Sequence, residues 1–141
     1  MSAGAPGGGR HRRIAYDFAV LRVVPHPHLE RWIPVGVVIH ARTVEFMDAR
    51  VLDDPGPLAR LVPDVETEVL VRYLRNWRAI AQGRDDAGPV ALYPPSERFH
   101  WLTCPRSDVL QSSPVRRGMA ADPAQALDRL WAEQVAAFIG G

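Results

Sequence analysis

Four of the chain's five serines, its one cysteine and four of its seventeen arginines fall within residues 96–118, SERFHWLTCPRSDVLQSSPVRRG. Hydroxyl and amide donors beside fixed cations are what a phosphate or carboxylate needs, each charge-assisted hydrogen bond contributing about 1.5–3 kcal/mol. Arg98 and Arg106 flank a strand expected at Phe99–Thr103, and Ser107, Gln111, Ser112 and Ser113 follow. Arg22 interrupts an apolar strand earlier in the chain, and a buried guanidinium must be paired or open to a pocket. These seven residues form the candidate set for binding a ligand or a partner. Internal ion pairs with Glu97, Asp108 or Asp17 are the competing use of the same arginines. The pattern assigns no catalytic residue.

Other chemistries fare worse. His100 and Cys104 share a face of the expected strand but stand about 13 Å apart along it. A general base must come within about 3 Å of the proton it takes, so an inert, packed thiol is the expectation. His26 and His28 have a usable metal-ligand spacing, yet a catalytic zinc needs a third ligand and an open position. Neither His40 nor Glu30 is supported by a ligating helix motif, so no metal and no cofactor are expected. All seventeen Lys+Arg positions are arginine. A lysine-bearing phosphate loop, a Schiff-base lysine and a Ser–Lys dyad are therefore excluded. The glycines at 7–9 follow no strand and open no helix, which argues against a phosphate cradle. The arginine row Arg72, Arg75 and Arg78 reads as a solvated helix face.

The elements that must position these residues follow from composition and period. With 141 residues, 47% hydrophobic and 23% charged, the chain has the length of one globular domain. Residues 1–13 read as a disordered tail and 14–139 as a single domain. Ile14–Val24 is too apolar on both faces for an exposed edge and reads as a central strand. Ile33–His40 and Val44–Val51 form a hairpin around Ala41-Arg42, with Pro34 at the start or edge of its strand. A helical piece around Leu58–Leu61 precedes a long helix that Asp64 is placed to cap and Gly83 to end. Its apolar stripe is Val65, Val69, Tyr73, Trp77 and Ile80. Val90–Tyr93 is expected to be a short strand. A last helix has Asp122 as cap, Pro123 in the first position, Gln125 completing a capping box, and Gly140 as its stop. Leu127, Leu130, Trp131, Val135 and Phe138 make its stripe. The expectation is an α+β fold, a mostly antiparallel sheet with two main amphipathic helices on one face.

The net charge of +1 and the pI near 8.0 disfavour nucleic acid as a partner. The opening MSAGAPGGGRHRR lacks an apolar core, and no apolar run reaches transmembrane length. A cytoplasmic location without membrane contact is expected.

The segments YDFAVLRVVP, VGVVIHAR, SERFHWLTCPRSDVLQSSPV and GMAADPAQALDRL, in that order, resemble the bacterial family called domain of unknown function 3037. The resemblance implies a fold and no established activity. It also implies a protein partner, of which a HipA-like kinase-fold protein is one. Similar proteins tend to carry an acid and Asn-Val-Gly where this chain has Arg31 and Pro34-Val35-Gly36, and Pro-Val-His where it has Pro114-Val115-Arg116. Both departures speak against acid–base catalysis. The reading is a regulatory interaction module with Arg98, Arg106 and Ser112–Ser113 as its surface and Trp32 as an apolar anchor. The alternative is a small anion- or nucleotide-binding domain, with weak hydrolysis as an extension.

Overall fold

A computed structural model describes residues 13–24, 32–104 and 109–139. Strand β1, Ile14–Val23, is the spine of a five-stranded antiparallel sheet. One edge pairs with β2, Ile33–Ala41, which pairs in turn with β3, Phe46–Val51. The opposite edge is shared: β5, Arg116–Ala120, covers Ile14–Phe18, and β4, Leu110–Ser112, covers Leu21–Val23. Between them Ser113 bridges the gap. Its hydroxyl accepts from the Val20 amide at 2.8 Å and its own amide donates to the Val20 carbonyl at 2.8 Å.

The expected β2–β3 hairpin is present, with Val44 absorbed into a 3-10 turn, Arg42–Val44. Glu45 takes the left-handed position at φ 53° that Gly or Asn usually fills, which is why the turn carries no sequence signature. Pro34 is the second residue of β2, at the start of its strand as expected, beside an irregularity. Leu21 faces Gly36 but Arg22 faces Pro34, so Val35 is an extra residue on β2. A bulge is where a strand tolerates a missing donor, and bulges re-aim neighbouring side chains.

Both faces of the sheet are covered. Ala19, Leu21, Val23, Val38, Ala49 and Val51 pack under α1 (Pro55–Leu61), α2 (Thr67–Ala81) and α3 (Pro95–Thr103). Tyr16, Phe18, Val37, Ile39 and Ala41 pack under α4, Pro123–Trp131, and the residues that continue it. The α+β class, the single domain and the antiparallel sheet are as expected, but the two main helices lie on opposite faces rather than on one. The reason is already in β1 and β2. Strands apolar on both sides need cover on both sides.

Local details differ for similar reasons. Helix α2 starts at Thr67 with Glu66 at the cap position, two residues after Asp64, and the Glu66 side chain makes no capping hydrogen bond. Its buried face is Leu70, Val71, Leu74, Trp77, Ile80 and Ala81, while Val69 is 47% exposed. Two apolar stripes one residue apart compete here, and the leucines win. Trp77 belongs to both and donates its indole N–H to the Leu102 carbonyl at 3.1 Å. Arg75 and Arg78 reach Asp53 at 3.2 and 3.4 Å on the solvated side.

The two expected strands after this helix are helical. Pro89–Leu92 is a 3-10 turn, and Phe99–Thr103 belongs to α3. Aromatic and β-branched content suggested a strand, but Pro95 in the first position and Glu97 in the first turn are helix-start features. Asp122 caps α4 as expected, accepting from the Ala124 amide at 3.0 Å. A π turn, Ala132–Ala136, then shifts the helix phase before a last turn, Ala137–Ile139. Val135 stays buried, but Phe138 emerges 53% exposed. The stop at Gly140 lies outside the described residues. None of the described helices is long and apolar enough to cross a membrane.

Candidate functional site

The α4 face of the sheet carries a pocket of about 120 Å³ lined by Phe18, Val20, Arg22, Trp32, Ser113, Arg116 and Gln134. It opens beside the point where β1 changes partners from β4 to β5. Phe18, Val20 and Arg22 lie two apart on β1 and so point to one face. Arg116 stands opposite Phe18 in register. The bulge at Val35 places Arg22 at the site's far end, opposite Pro34 on one side and Gln111 on the other. The π turn supplies Gln134 while leaving Val135 in the core. Such turns recur at functional sites because one extra residue re-aims a side chain without breaking the helix.

Arg22 is held over the Trp32 ring at 4.6 Å, and Phe138 stacks with the same ring at 6.3 Å between centroids, 19° between planes. A guanidinium braced this way keeps its N–H edge directed rather than free to swing. The ion pairs among the described residues engage other arginines. Neither Arg22 nor Arg116 has a carboxylate partner among them. Burial lowers the Arg22 pKa, and the positive charge of Arg116 lowers it further. Two cations therefore share a small concavity without a described counter-charge.

Of the sequence candidates, Arg22 and Ser113 line this pocket, and Gln111 stands across from Arg22. The Ser113 hydroxyl is committed: it accepts from Val20 and donates to the Pro114 carbonyl at 3.0 Å. Ser112 turns its hydroxyl onto the Ser113 carbonyl at 2.8 Å. Arg98 is elsewhere, on the α2–α3 face and only 9% exposed. Its guanidinium donates to the carbonyls of Ile80 at 2.9 Å, Ala81 at 3.1 Å and Tyr93 at 3.0 Å. Those are the end of α2 and the segment after it, so Arg98 serves as a C-terminal cap. Arg106 and Ser107 lie outside the described residues, as do Arg31 and the His26/His28 pair.

Sequence reasoning passed over Arg116 and Gln134 as site residues. For Arg116 the signal was an arginine pair entering a strand one residue after Ser-Ser-Pro. Gln134 left none, because a π turn has no sequence rule.

His100 and Cys104 are not 13 Å apart. As i and i+4 at the end of a helix they bring Nε2 and Sγ to 3.7 Å. No group of three or more potential metal-ligating side chains occurs among the described residues. Among the described residues, the lining of the Arg22–Arg116 pocket holds no carboxylate, imidazole or thiol. What it offers is fixed positive charge, an aromatic brace and an amide.

Fold and site together describe a small α+β domain with a two-arginine pocket on one face of an antiparallel sheet. The chain belongs to the family described as protein of unknown function (DUF3037), whose model matches residues 18–135. Every residue lining the pocket falls inside that match. No curated protein and no solved structure matches the chain.

Proposed function

We propose that this protein is a non-catalytic recognition module that binds an oxyanion in the Arg22–Arg116 pocket. The observation that carries this reading is the pair of guanidiniums sharing one concavity with no described carboxylate partner. Two like charges brought together on folding raise the free energy of the empty protein, and a bound anion offsets that cost. Binding is favoured over turnover because the described lining residues supply neither a general base nor an activated nucleophile. The size favours the small-anion form of the reading over a nucleotide. A volume of about 120 Å³ holds a headgroup, whereas drug-sized ligands occupy about 300–1,000 Å³.

Thermal unfolding of wild type and Arg116→Ala in sulfate, phosphate, acetate and chloride tests the proposal. At a hundred times its dissociation constant an anion stabilises by about 2.7 kcal/mol, several degrees in Tm for a domain of this size. Sulfate and phosphate also stabilise proteins generally by exclusion from the surface. The measure is therefore the shift in wild type minus the shift in Arg116→Ala. A difference of several degrees supports the pocket, and equal shifts in both proteins reject it.

A further inference from the structure

We propose that the Arg22–Arg116 pocket takes a dianionic phosphoryl group in preference to a carboxylate, Arg22 and Arg116 gripping it from two different strands. This rests on the oxyanion reading above and specifies its ligand class.

The first argument is charge. Arg22 and Arg116 carry two positive charges with no carboxylate partner among the described residues. One carboxylate would neutralise one of them and leave the other beside it. A phosphomonoester carries about −1.5 to −2 at pH 7 and matches both. That the two guanidiniums sense each other is seen in the downward push of Arg116 on the Arg22 pKa.

The second argument is the direction of the donors. Arg22 comes from β1 and Arg116 from β5, and the Arg22 guanidinium carbon lies 4.6 Å from the centre of the Trp32 ring. A carboxylate has two oxygens in one plane, which a single guanidinium fork occupies. A phosphoryl group presents three oxygens in three dimensions, so two forks from separate strands can each find acceptors. The Gln134 amide adds a neutral donor from the π turn.

The third is what the pocket lacks. Of its two aromatic rings, Trp32 is engaged by Arg22 and stacked with Phe138, and Phe18 is buried against Tyr16, so neither is a spare platform for a nucleobase. The site fits the phosphoryl end of a ligand whose remainder lies outside. Free phosphate and a phosphorylated side chain share that chemistry.

Isothermal titration of the full chain with phenyl phosphate and with benzoate, at pH 7.5 and 5.5, tests this preference. At pH 7.5 phenyl phosphate should bind at least about tenfold tighter. The second ionisation of a phosphomonoester lies near pH 6, so the preference should shrink at pH 5.5 while benzoate binding stays level. Of the described lining residues, Ser113, Gln134, Phe18, Val20 and Trp32 are neutral, and a guanidinium keeps its charge throughout this window. Arg116→Ala should abolish the preference, costing phenyl phosphate at least about tenfold and benzoate only a few-fold.

Equal affinity for the two ligands, lost together in Arg116→Ala, overturns the phosphoryl preference and leaves the oxyanion reading standing. Binding of neither overturns both. Inorganic phosphate and a phosphoserine peptide then separate the sources. A peptide that binds no tighter than phosphate supports a small-molecule site, and a tighter peptide supports a phosphoprotein ligand.

Discussion

Tyr16 packs directly onto Gly118, its register partner across the β1–β5 pair. A Cβ added at Gly118 would overlap the phenol ring, so the ring lies where any other side chain would begin. The Tyr16 hydroxyl accepts from Arg129 at 2.9 Å, which ties α4 to β1, the strand that carries Arg22. Overpacking of this kind costs about 1–3 kcal/mol. Gly118→Ala should therefore lower Tm by about 4–12 °C. In a Tyr16→Leu background the same glycine substitution should cost much less. Thermal unfolding of the four proteins gives the coupling, and an additive cycle would deny the contact.

Arg98 and Arg116 should behave in opposite ways when removed. Arg98 is buried and bonded to three carbonyls. Arg98→Ala leaves those acceptors short of a donor and should cost about 3 kcal/mol or more. Lysine there should recover only part of the loss, since a point charge cannot replace a planar fork. Arg116 is exposed, and its known neighbour is another cation. Arg116→Ala should leave stability within about 0.5 kcal/mol of wild type, or raise it slightly. Urea unfolding of the three variants separates an arginine kept for the fold from one that stability does not need.

How far the sequence reveals this arrangement depends on which signal each residue leaves. Arg22 is legible because a cation in the middle of IAYDFAVLRVV has to be explained. Ser113 and Gln111 are legible as donors in a turn. Arg98 has the same composition-level appearance as Arg22, and only tertiary structure shows that it faces helix carbonyls rather than a pocket. The central strand and the C-terminal helix are readable because period and cap agree there. Helix α3 is not, since Phe99, Trp101 and Thr103 favour strands while Pro95 and Glu97 start a helix, and the capping features prevail. That reversal moves His100 from a remote position to within 3.7 Å of Cys104. The face of the sheet on which each helix lies was never encoded locally. It follows from how much apolar surface β1 and β2 leave on either side.

Glu45 at φ 53° is a non-glycine residue in the left-handed region. A side chain with a Cβ costs about 1–2 kcal/mol there, and asparagine tolerates it better than most. Glu45→Asn should stabilise the protein by up to about 1 kcal/mol. Glycine should gain less, because its unfolded chain has more freedom to lose. Alanine should change little, since it keeps the Cβ that creates the strain. Chemical denaturation of the three variants checks the order. A gain in the alanine variant as large as in asparagine would place the effect in the glutamate charge instead of the backbone.

His40 gives the fold a pH dependence whose sign is fixed by its surroundings. It lies on β2, 4% exposed, 5.6 Å from the Phe99 ring. Burial lowers its pKa most; Asp17 opposite it in register pulls upward, and Arg42 and Arg98 push downward. The folded protein thus binds this proton less readily than the unfolded chain, whose histidine titrates near 6.5. Above that value both states hold a neutral imidazole and the full stability is present. As pH falls below it the unfolded chain takes up the proton first, and stability declines until the folded histidine also titrates. The slope from one proton cannot exceed about 1.4 kcal/mol per pH unit. Urea unfolding of wild type between pH 7.5 and 5 should show this decline, and His40→Gln should flatten it. A wild type that gains stability on acidification through this range, with the gain abolished by His40→Gln, would mean that Asp17 outweighs burial. His40 would then be a stabilising cation rather than a buried neutral ring.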